Sequence, residues 1–230
     1  MEFSLDTGSI EEVKKALDIY PVNCFSMNPS IVVKALSGTH KGFLENAIEI
    51  RKIIGNESPL YLQAMGDTAE EMIEDAHAIV KAVYGNTLIK IPACPQGFKA
   101  IRLLKKENIS CSCTTILDVN QAMLAAECGA VCVAVYVSRL DNAGGDGLDV
   151  VKKIKQAFTL NHITCHISAA SIHSAITLEK AFLLGVDDVT VNMELLDKMA
   201  THSLTAKTLK GFKDDWEGQF GKGIRVANMV

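Results

Sequence analysis

The segment Asn86–Gly97 reads NTLIKIPACPQG and holds a single lysine, Lys90, between two isoleucines. A short apolar run bounded by turn residues is typical of a strand that is buried on both faces, as in a parallel sheet covered by helices. Such a strand normally excludes an ammonium group. The segment therefore predicts a buried strand in which the lysine serves a specific purpose.

Apolar runs of the same type recur along the whole chain, and segments with helical periodicity lie between them. The predicted strands are Phe3–Asp6, Asn23–Met27, Leu60–Met65, Thr87–Ile91, Ser110–Thr114, Val131–Tyr136, Thr164–Ala169 and Asp187–Val191. Alternating strands and helices form a parallel sheet, and eight such units close a barrel. We therefore predict the α/β fold class and a (β/α)8 TIM barrel as a single domain over residues 1–230.

A doubly wound open sheet is the alternative architecture. That fold typically has a GxGxxG turn after its first strand, whereas here the first strand runs into DTGSIEE. The barrel is therefore the preferred prediction. After the eighth strand, residues 203–223 form a further amphipathic stretch that contains the only tryptophan. We expect it to be an additional C-terminal helix that packs on a neighbouring subunit.

Helix start signals lie between several of the predicted strands. Ser9 and Thr68 are each followed three residues later by a glutamate, which is the pattern of a capping box. Thr177 precedes the apolar run LEKAFLL and is predicted to cap a later helix.

The overall charge argues against a nucleic-acid partner. The net charge is -4, the isoelectric point is about 5.9, and the basic residues are scattered. The first residues, MEFSLDTGS, lack the features of a signal peptide, and no window is apolar enough to span a membrane. These features predict a soluble, cytoplasmic protein without a membrane partner.

The seven cysteines do not form a recognisable disulfide or metal pattern. Most of them lie in or beside apolar runs, where a thiol behaves as a small hydrophobic group. Cys111 and Cys113 would share one face of a strand, but no second pair at the spacing of a zinc site accompanies them. We therefore predict structural thiols and no metal.

Polar side chains lie at the ends of seven of the eight predicted strands. In chain order they are Asp6, Ser26 with Asn28, Gln63, Lys90, Thr114, Tyr136 with Arg139, and Ser171. In a (β/α)8 barrel the carboxyl ends of all strands meet at one face, where active sites form. The sequence therefore predicts one site built from these side chains.

Most of these residues also have a purely structural interpretation. Asp6 would cap the first helix, and Asn28 would form a turn before a proline. Arg139 would pair with Asp141 at the surface. The hydroxyl and phenol groups are common at strand ends. Taken singly, none of these residues identifies a function.

Lys90 is harder to explain structurally. Because side chains alternate along a strand, the flanking isoleucines would face the helices and Lys90 would face the barrel axis. Burial without a fixed partner favours the neutral amine, which is a nucleophile suited to Schiff-base chemistry. The structural alternative is a buried ion pair between Lys90 and Asp6.

The motifs at the strand ends resemble one known family. They are LDTGS, SMNPS, LQAM, IKIP, CTT, VYVSRLD and SAAS, followed by KDDWEGQF in the final predicted helix. Together they resemble the small transaldolase family, and most closely its fructose-6-phosphate aldolase branch. The likeness is colinear from Met1 to about Gly223.

The resemblance implies a class I mechanism without metal or cofactor, and it implies roles for the matching residues. Lys90 matches the lysine that forms the imine, and Asp6 matches the carboxylate that orders the nucleophile. The remaining catalytic matches are Thr114 and Gln63, which hold a water, and Tyr136, which transfers a proton. The substrate-binding matches are Ser26, Asn28, and the phosphate anchors Arg139 and Ser171.

Two residues separate the branches of the family. Transaldolases typically have glutamate at the position of Gln63 and phenylalanine at that of Tyr136, so the pattern here resembles the aldolase branch. The implied reaction is the reversible cleavage of fructose 6-phosphate to dihydroxyacetone and glyceraldehyde 3-phosphate. The alternatives are a transaldolase of the pentose phosphate pathway and a barrel that binds a sugar phosphate without catalysis. The resemblance also implies a ring-forming homo-oligomer, a pentamer or decamer.

Some positions depart from the family pattern. Ser138 replaces asparagine or glycine, Ser26 and Met27 replace two threonines, and His173 replaces a basic residue near the phosphate anchors. Because histidine is only partly charged near neutral pH, phosphate affinity is expected to be weaker or the acceptor to be unphosphorylated. The loop NAGGDG is predicted to open a helix and not to bind phosphate.

Overall fold

The computed structural model describes residues 1–229; Val230, the last residue of the predicted barrel domain, lies outside the described residues. The chain divides into two compact units, Met1–Met193 and the segment from Glu194 onward. The first unit contains all eight strands.

The strands form a closed barrel in chain order, and each pairs in parallel with its neighbours. They are β1 (Glu2–Asp6), β2 (Cys24–Met27), β3 (Leu60–Gln63), β4 (Thr87–Pro92), β5 (Cys111–Ile116), β6 (Cys132–Tyr136), β7 (His166–Ala170) and β8 (Asp188–Val191). This arrangement confirms the predicted (β/α)8 TIM barrel.

Helices connect successive strands and continue beyond the last one. They are α1 (Ile10–Ile19), α2 (Pro29–Leu36), α3 (Phe43–Ile54), α4 (Ala69–Ala82), α5 (Pro95–Lys106), α6 (Val119–Cys128), α7 (Val137–Asn142), α8 (Gly147–Leu160), α9 (Ala175–Leu184), α10 (Met193–Met199) and α11 (Ser203–Phe220). None of the helices within residues 1–229 has the length and apolar character needed to cross a membrane.

The two faces of the strands carry different side chains. Leu5, Ile89 and Val133 lie on the helix-facing side and are fully buried. The positions that alternate with them include Lys90 on β4 and Ser26 on β2, which are hydrogen-bonded although β3 separates their strands. Only side chains inside the barrel can meet in this way, so Lys90 points to the axis as its sequence context predicts.

The helix starts agree with the predictions in part. Thr68 begins α4 with a complete capping box. Ser9 caps α1, but Glu12 accepts a hydrogen bond from Thr7 at 2.5 Å, so the predicted reciprocal box is incomplete. The predicted cap at Thr177 is wrong, because Ser174 caps α9 three residues earlier.

Two helices, α7 and α8, lie between β6 and β7. The sequence did not predict α7, which follows β6 directly and carries Arg139. The loop NAGGDG leads into α8, whose N-cap is Asp146. Gly147 lies against the backbone of Val137, where a β-carbon would clash at 2.5 Å. The glycine therefore allows α7 and α8 to approach closely.

Arg51 joins the end of α3 to the starts of two strands. Its guanidinium is fully buried and donates to the carbonyl oxygens of Gly55, Ser58 and Asn86, each at 2.7 Å. A fourth contact reaches the hydroxyl of Thr87 at 3.2 Å. These contacts tie the end of α3 to the segments that precede β3 and β4, and they give the buried guanidinium its hydrogen-bond acceptors.

The second unit contains the predicted C-terminal helix, which is shorter than expected. The expected range 203–223 is helical as α11 up to Phe220, and Gly221 ends it with a φ of 98°. No residue of α11 is buried in the chain. The ring of Trp216 packs on Phe220 with centroids 4.6 Å apart, and its indole nitrogen donates to the carbonyl oxygen of Ile224 at 2.8 Å.

Candidate active site

Lys90 lies at the centre of the predicted site. Its residue exposure is 6%, and its Nζ atom donates a hydrogen bond to the hydroxyl oxygen of Ser26 at 2.9 Å. Lys90 takes part in none of the ion pairs formed within residues 1–229. The alternative of a direct ion pair between Lys90 and Asp6 is therefore absent from this part of the chain.

Asp6 is linked to Lys90 through the same hydroxyl. The Ser26 hydroxyl donates to Oδ1 of Asp6 at 3.1 Å. Burial raises the pKa of Asp6 above its ordinary value, while the charge of Lys90, the Ser26 hydrogen bond and the charge of His173 oppose this rise. Asp6 does not cap α1, because Ser9 occupies that position. The structural interpretation of Asp6 is therefore wrong.

A second hydrogen-bonded pair lies at the ends of β5 and β6. Thr114 is fully buried, and its hydroxyl donates to the Tyr136 phenol oxygen at 3.1 Å. The Arg139 guanidinium lies over the Tyr136 ring, with its carbon 5.5 Å from the ring centroid. Such cation–π contacts hold the two side chains together.

Arg139 does not pair with Asp141, the partner that the structural interpretation gave it. The Asp141 carboxylate instead accepts a hydrogen bond from the backbone nitrogen of Gly147 at 2.8 Å. Among the ion pairs of residues 1–229, none includes Arg139. Its positive charge therefore remains available to an anionic ligand.

Ser171 follows β7 and has an unusual backbone. Its φ of 56° lies in the left-handed region, which is uncommon for a residue other than glycine and is often found at functional sites. Its carbonyl oxygen accepts from the Ser138 nitrogen at 3.1 Å, which joins the loops after β6 and β7. Its hydroxyl is 3.5 Å from Nε2 of His173.

Gln63 and Asn28 have different surroundings. Gln63 ends β3, is half-buried, and is the register partner of Lys90. Asn28 is the N-cap of α2, and its side-chain oxygen accepts from the Ile31 nitrogen at 3.1 Å. The oxygen of Asn28 therefore caps a helix, whereas its structural interpretation was a turn before the proline. The amide nitrogen of Asn28 is not part of that cap.

The cysteines lie in apolar surroundings. Burial raises the pKa of the Cys111 thiol to about 12 and raises that of Cys113 as well. Within residues 1–229 no group of three or more metal-ligating side chains comes together. Thiols with raised pKa values are poor nucleophiles at neutral pH, so Lys90 is a better candidate for the nucleophile than these cysteines.

The structure brings together two groups of the predicted residues. Lys90, Ser26 and Asp6 form a hydrogen-bonded chain. In the second group, Thr114 donates a hydrogen bond to Tyr136, and Arg139 lies over the Tyr136 ring. Sequence reasoning missed the position of Ser26 between Lys90 and Asp6 and gave it a substrate contact only. The pattern of polar strand ends was a signal that Ser26 belongs to the site, but it did not identify its partners.

Comparisons with known proteins show the family of this chain. A family model described as transaldolase/fructose-6-phosphate aldolase matches residues 3–230. A protein of Brachyspira hyodysenteriae named "Probable transaldolase" is 34% identical over 222 residues, which cover 96% of this chain and 100% of that protein.

Two further relatives carry the same name. The protein of Clostridioides difficile is 34% identical over 218 residues, covering 95% of this chain and 98% of the relative. The protein of Thermoplasma volcanium is 35% identical over 217 residues, covering 94% of this chain and 96% of the relative. With a matching family model over nearly its whole length, this chain belongs to the transaldolase/fructose-6-phosphate aldolase family.

Proposed function

We propose that this protein is a class I aldolase that reversibly cleaves fructose 6-phosphate to dihydroxyacetone and glyceraldehyde 3-phosphate, with Lys90 as the Schiff-base nucleophile. The main supporting observation is the buried amine of Lys90, which points to the barrel axis and has a hydroxyl instead of a carboxylate as its partner. A lysine held in this way is suited to add to a ketone.

The reaction begins at C2 of the ketose. The amine of Lys90 adds to the carbonyl group, and loss of water from the carbinolamine leaves a protonated imine. When the bond between C3 and C4 breaks, the imine accepts the electron pair and becomes an enamine. Gln63 and Thr114 lie on the strands that flank β4, where they can hold the water that leaves.

Proton transfer at C3 and at the C4 hydroxyl is assigned to Tyr136. Its phenol accepts a hydrogen bond from Thr114, which fixes its position and leaves its own proton free to donate. A positioned phenol can act as a general acid or base through a water. Protonation of the enamine at C3 and hydrolysis of the imine then release dihydroxyacetone.

The phosphate of the substrate is assigned to the loops after β6 and β7. Arg139 is without a carboxylate partner among the described ion pairs, and the hydroxyl of Ser171 is near His173. An arginine and a hydroxyl group form strong hydrogen bonds to phosphate oxygens. The amide nitrogen of Asn28 is assigned to the hydroxyl groups of the dihydroxyacetone unit.

A transaldolase is the second candidate, and the names of the relatives favour it, since the three similar proteins are each called "Probable transaldolase". The residues Gln63 and Tyr136 favour the aldolase, because the phenol supplies a proton that ends the reaction at free dihydroxyacetone. In a transaldolase the enamine persists until a second aldehyde arrives.

Borohydride reduction tests the nucleophile. The protein is incubated with dihydroxyacetone or fructose 6-phosphate and then reduced, which converts an imine into a stable adduct. We expect one adduct, located on Lys90 by peptide mass spectrometry and absent from Lys90→Met. An unmodified wild-type protein would indicate a barrel that binds sugar phosphates without catalysis.

Product analysis separates the two enzymes. The aldolase is expected to release free dihydroxyacetone from fructose 6-phosphate whether or not erythrose 4-phosphate is present. In Tyr136→Phe, we expect less release and more transfer to erythrose 4-phosphate, because the phenol that protonates the enamine is gone. Transfer without any release by the wild-type protein would identify a transaldolase.

Two further features belong to the proposal. The enzyme would act in the cytoplasm, where unpaired thiols such as its seven free cysteines persist. The apolar side chains of α11 would pack on a neighbouring copy of the chain in a homo-oligomer of five or ten subunits.

A further inference from the structure

Ser26 is the only side chain that contacts both ionisable groups at the centre of the site, among the hydrogen bonds of residues 1–229. It is 4% exposed, accepts a hydrogen bond from Lys90 at 2.9 Å, and donates one to Asp6 at 3.1 Å. The two hydrogen bonds therefore run in the same donor-to-acceptor direction, from Lys90 through Ser26 to Asp6. A hydroxyl in this arrangement can receive one proton while it gives up another.

Burial favours proton movement towards Asp6, and the neighbouring positive charges oppose it. The charged and titratable groups that act on Asp6 are Lys90 on β4 and His173 in the loop after β7. Burial raises the pKa of Asp6, so its carboxylate can hold a proton more readily than an exposed one.

We propose that Ser26 is a catalytic hydroxyl that passes the proton of the Lys90 ammonium group to Asp6 before the amine attacks the substrate. An N–H bond of Lys90 breaks as the Ser26 oxygen takes that proton, and the O–H bond of Ser26 breaks as Asp6 takes the other. The result is a neutral amine, an intact hydroxyl and a carboxylic acid. No charge or electron is gained or lost.

The same proton is used in the next step. After the amine adds to C2, the carbinolamine oxygen must leave as water, which requires a proton. Asp6 returns its proton for that purpose and becomes a carboxylate again, so the site is restored. This inference rests on the proposed function, because the relay has no use without imine formation.

The test measures how fast the imine forms at different pH values. Wild type and Ser26→Ala are mixed with dihydroxyacetone and cyanoborohydride between pH 6 and 9, and the adduct on Lys90 is followed by mass spectrometry. We expect Ser26→Ala to be slower by about tenfold or more at pH 7, and the difference to shrink towards pH 9. At high pH, hydroxide in solution can remove the proton without a relay.

A second pair of variants controls for packing. Threonine and valine side chains have nearly the same shape, but only threonine has a hydroxyl. We therefore expect Ser26→Thr to form the imine at the wild-type rate at pH 7 and Ser26→Val not to. Ser4→Ala is the matched control, since Ser4 is also buried on the barrel axis but contacts neither Lys90 nor Asp6 within the described residues. It should form adduct at the wild-type rate.

The outcomes distinguish this inference from the function on which it depends. No adduct in the wild-type protein at any pH would overturn both. An adduct in the wild type, together with an unchanged rate and pH profile in Ser26→Ala or equal rates in the threonine and valine variants, would overturn the relay alone. If Ser26→Ala does not fold, the threonine and valine pair decides the question.

Discussion

Replacing Lys90 by methionine removes the proposed nucleophile and keeps an unbranched stem of similar length. Because the amine is buried and, among the hydrogen bonds of residues 1–229, its partner is a hydroxyl, its loss relieves the burial of a polar group. We expect Lys90→Met to have a melting temperature equal to or above that of the wild type and no measurable turnover. A large loss of thermal stability would contradict the assignment and would indicate a structural role.

Asp188 provides a pH-dependent contribution to stability at the opposite end of the barrel. It begins β8, and its Oδ1 atom accepts a hydrogen bond from Ser168 at 2.6 Å. Burial raises the pKa of Asp188 from 3.8 to about 6, the Ser168 hydrogen bond opposes the rise, and the charge of Glu2 adds to it. The folded protein therefore binds this proton more tightly than the unfolded chain does.

The sign follows from linkage. A carboxyl group whose pKa is raised in the folded state contributes most to stability at low pH, and this contribution is lost as the pH rises through the folded value of about 6. The full loss corresponds to about 3 kcal/mol. We expect the free energy of unfolding of Asp188→Asn, relative to wild type, to rise by up to that amount between pH 4 and 7. Urea denaturation across this range would contradict the prediction if the difference were constant.

At the scale of single residues, sequence reasoning predicted orientation better than contacts. The alternation along LIKIP predicted that Lys90 faces the axis, and its hydrogen bond to Ser26 confirms this. It did not predict that partner, because Ser26 lies two strands away and no spacing in the chain encodes which side chains meet across a barrel. Asn28 was interpreted as a turn residue before the proline and is the N-cap of α2, and its role in binding is still a prediction.

At the scale of elements, Arg51 links α3 to the starts of two strands, and no sequence pattern singled it out. Removing its guanidinium in Arg51→Met leaves the carbonyl oxygens of Gly55, Ser58 and Asn86 without these donors. We expect the free energy of unfolding to fall by about 2 kcal/mol, because hydrogen bonds from a charged group, each worth about 1.5–3 kcal/mol, are lost while the burial of the guanidinium charge is relieved. Chemical denaturation measures this change.

The next residue along α3 provides the control. Lys52 is exposed, so Lys52→Met should change the free energy of unfolding by less than about 0.5 kcal/mol. Equal effects of the two substitutions would show that the buried contacts of Arg51 are not the source of its stabilisation.

Element boundaries were predictable wherever the local signal was strong. Every predicted strand agrees with the observed one to within two residues at each end. The helix α7 was missed because VSRLDN is too short to show a helical period. The cap at Thr177 was wrong because Ser174, which precedes it, provides an equally good hydroxyl and begins α9 earlier. Local patterns locate an element more reliably than they choose between adjacent caps.

At the scale of the whole molecule, the count of eight strand–helix units was sufficient to predict the closed barrel, because parallel strands need helical connections and few architectures accept eight of them. The contacts between copies of the chain are not encoded in that count. They depend on which apolar side chains remain exposed, and the sequence alone does not give exposure.

The helix α11 supplies that information. Leu209 is 60% exposed, Phe212 is 65% exposed, and Phe220 is 48% exposed. With 3.6 residues per turn, these three positions lie within about 80° of one another around the helix axis, so they form one stripe on the helix. Each large apolar side chain gains about 1.5–3 kcal/mol when it is fully buried, which is a strong reason for this face to be covered. A second copy of the chain is the occupant that we propose.

Light scattering coupled to size exclusion tests this contact. We expect the wild-type protein to have a mass of five or ten times the 24.9 kDa of one chain. Phe212→Asp places a charge in the proposed interface and should reduce the mass, whereas Lys207→Asp, an exposed change on the same helix, should leave it unchanged. A charged side chain cannot be buried in an apolar contact without cost, which is why Phe212→Asp should weaken the contact. A single-chain mass for the wild type, or the same mass for all three proteins, would contradict the proposal.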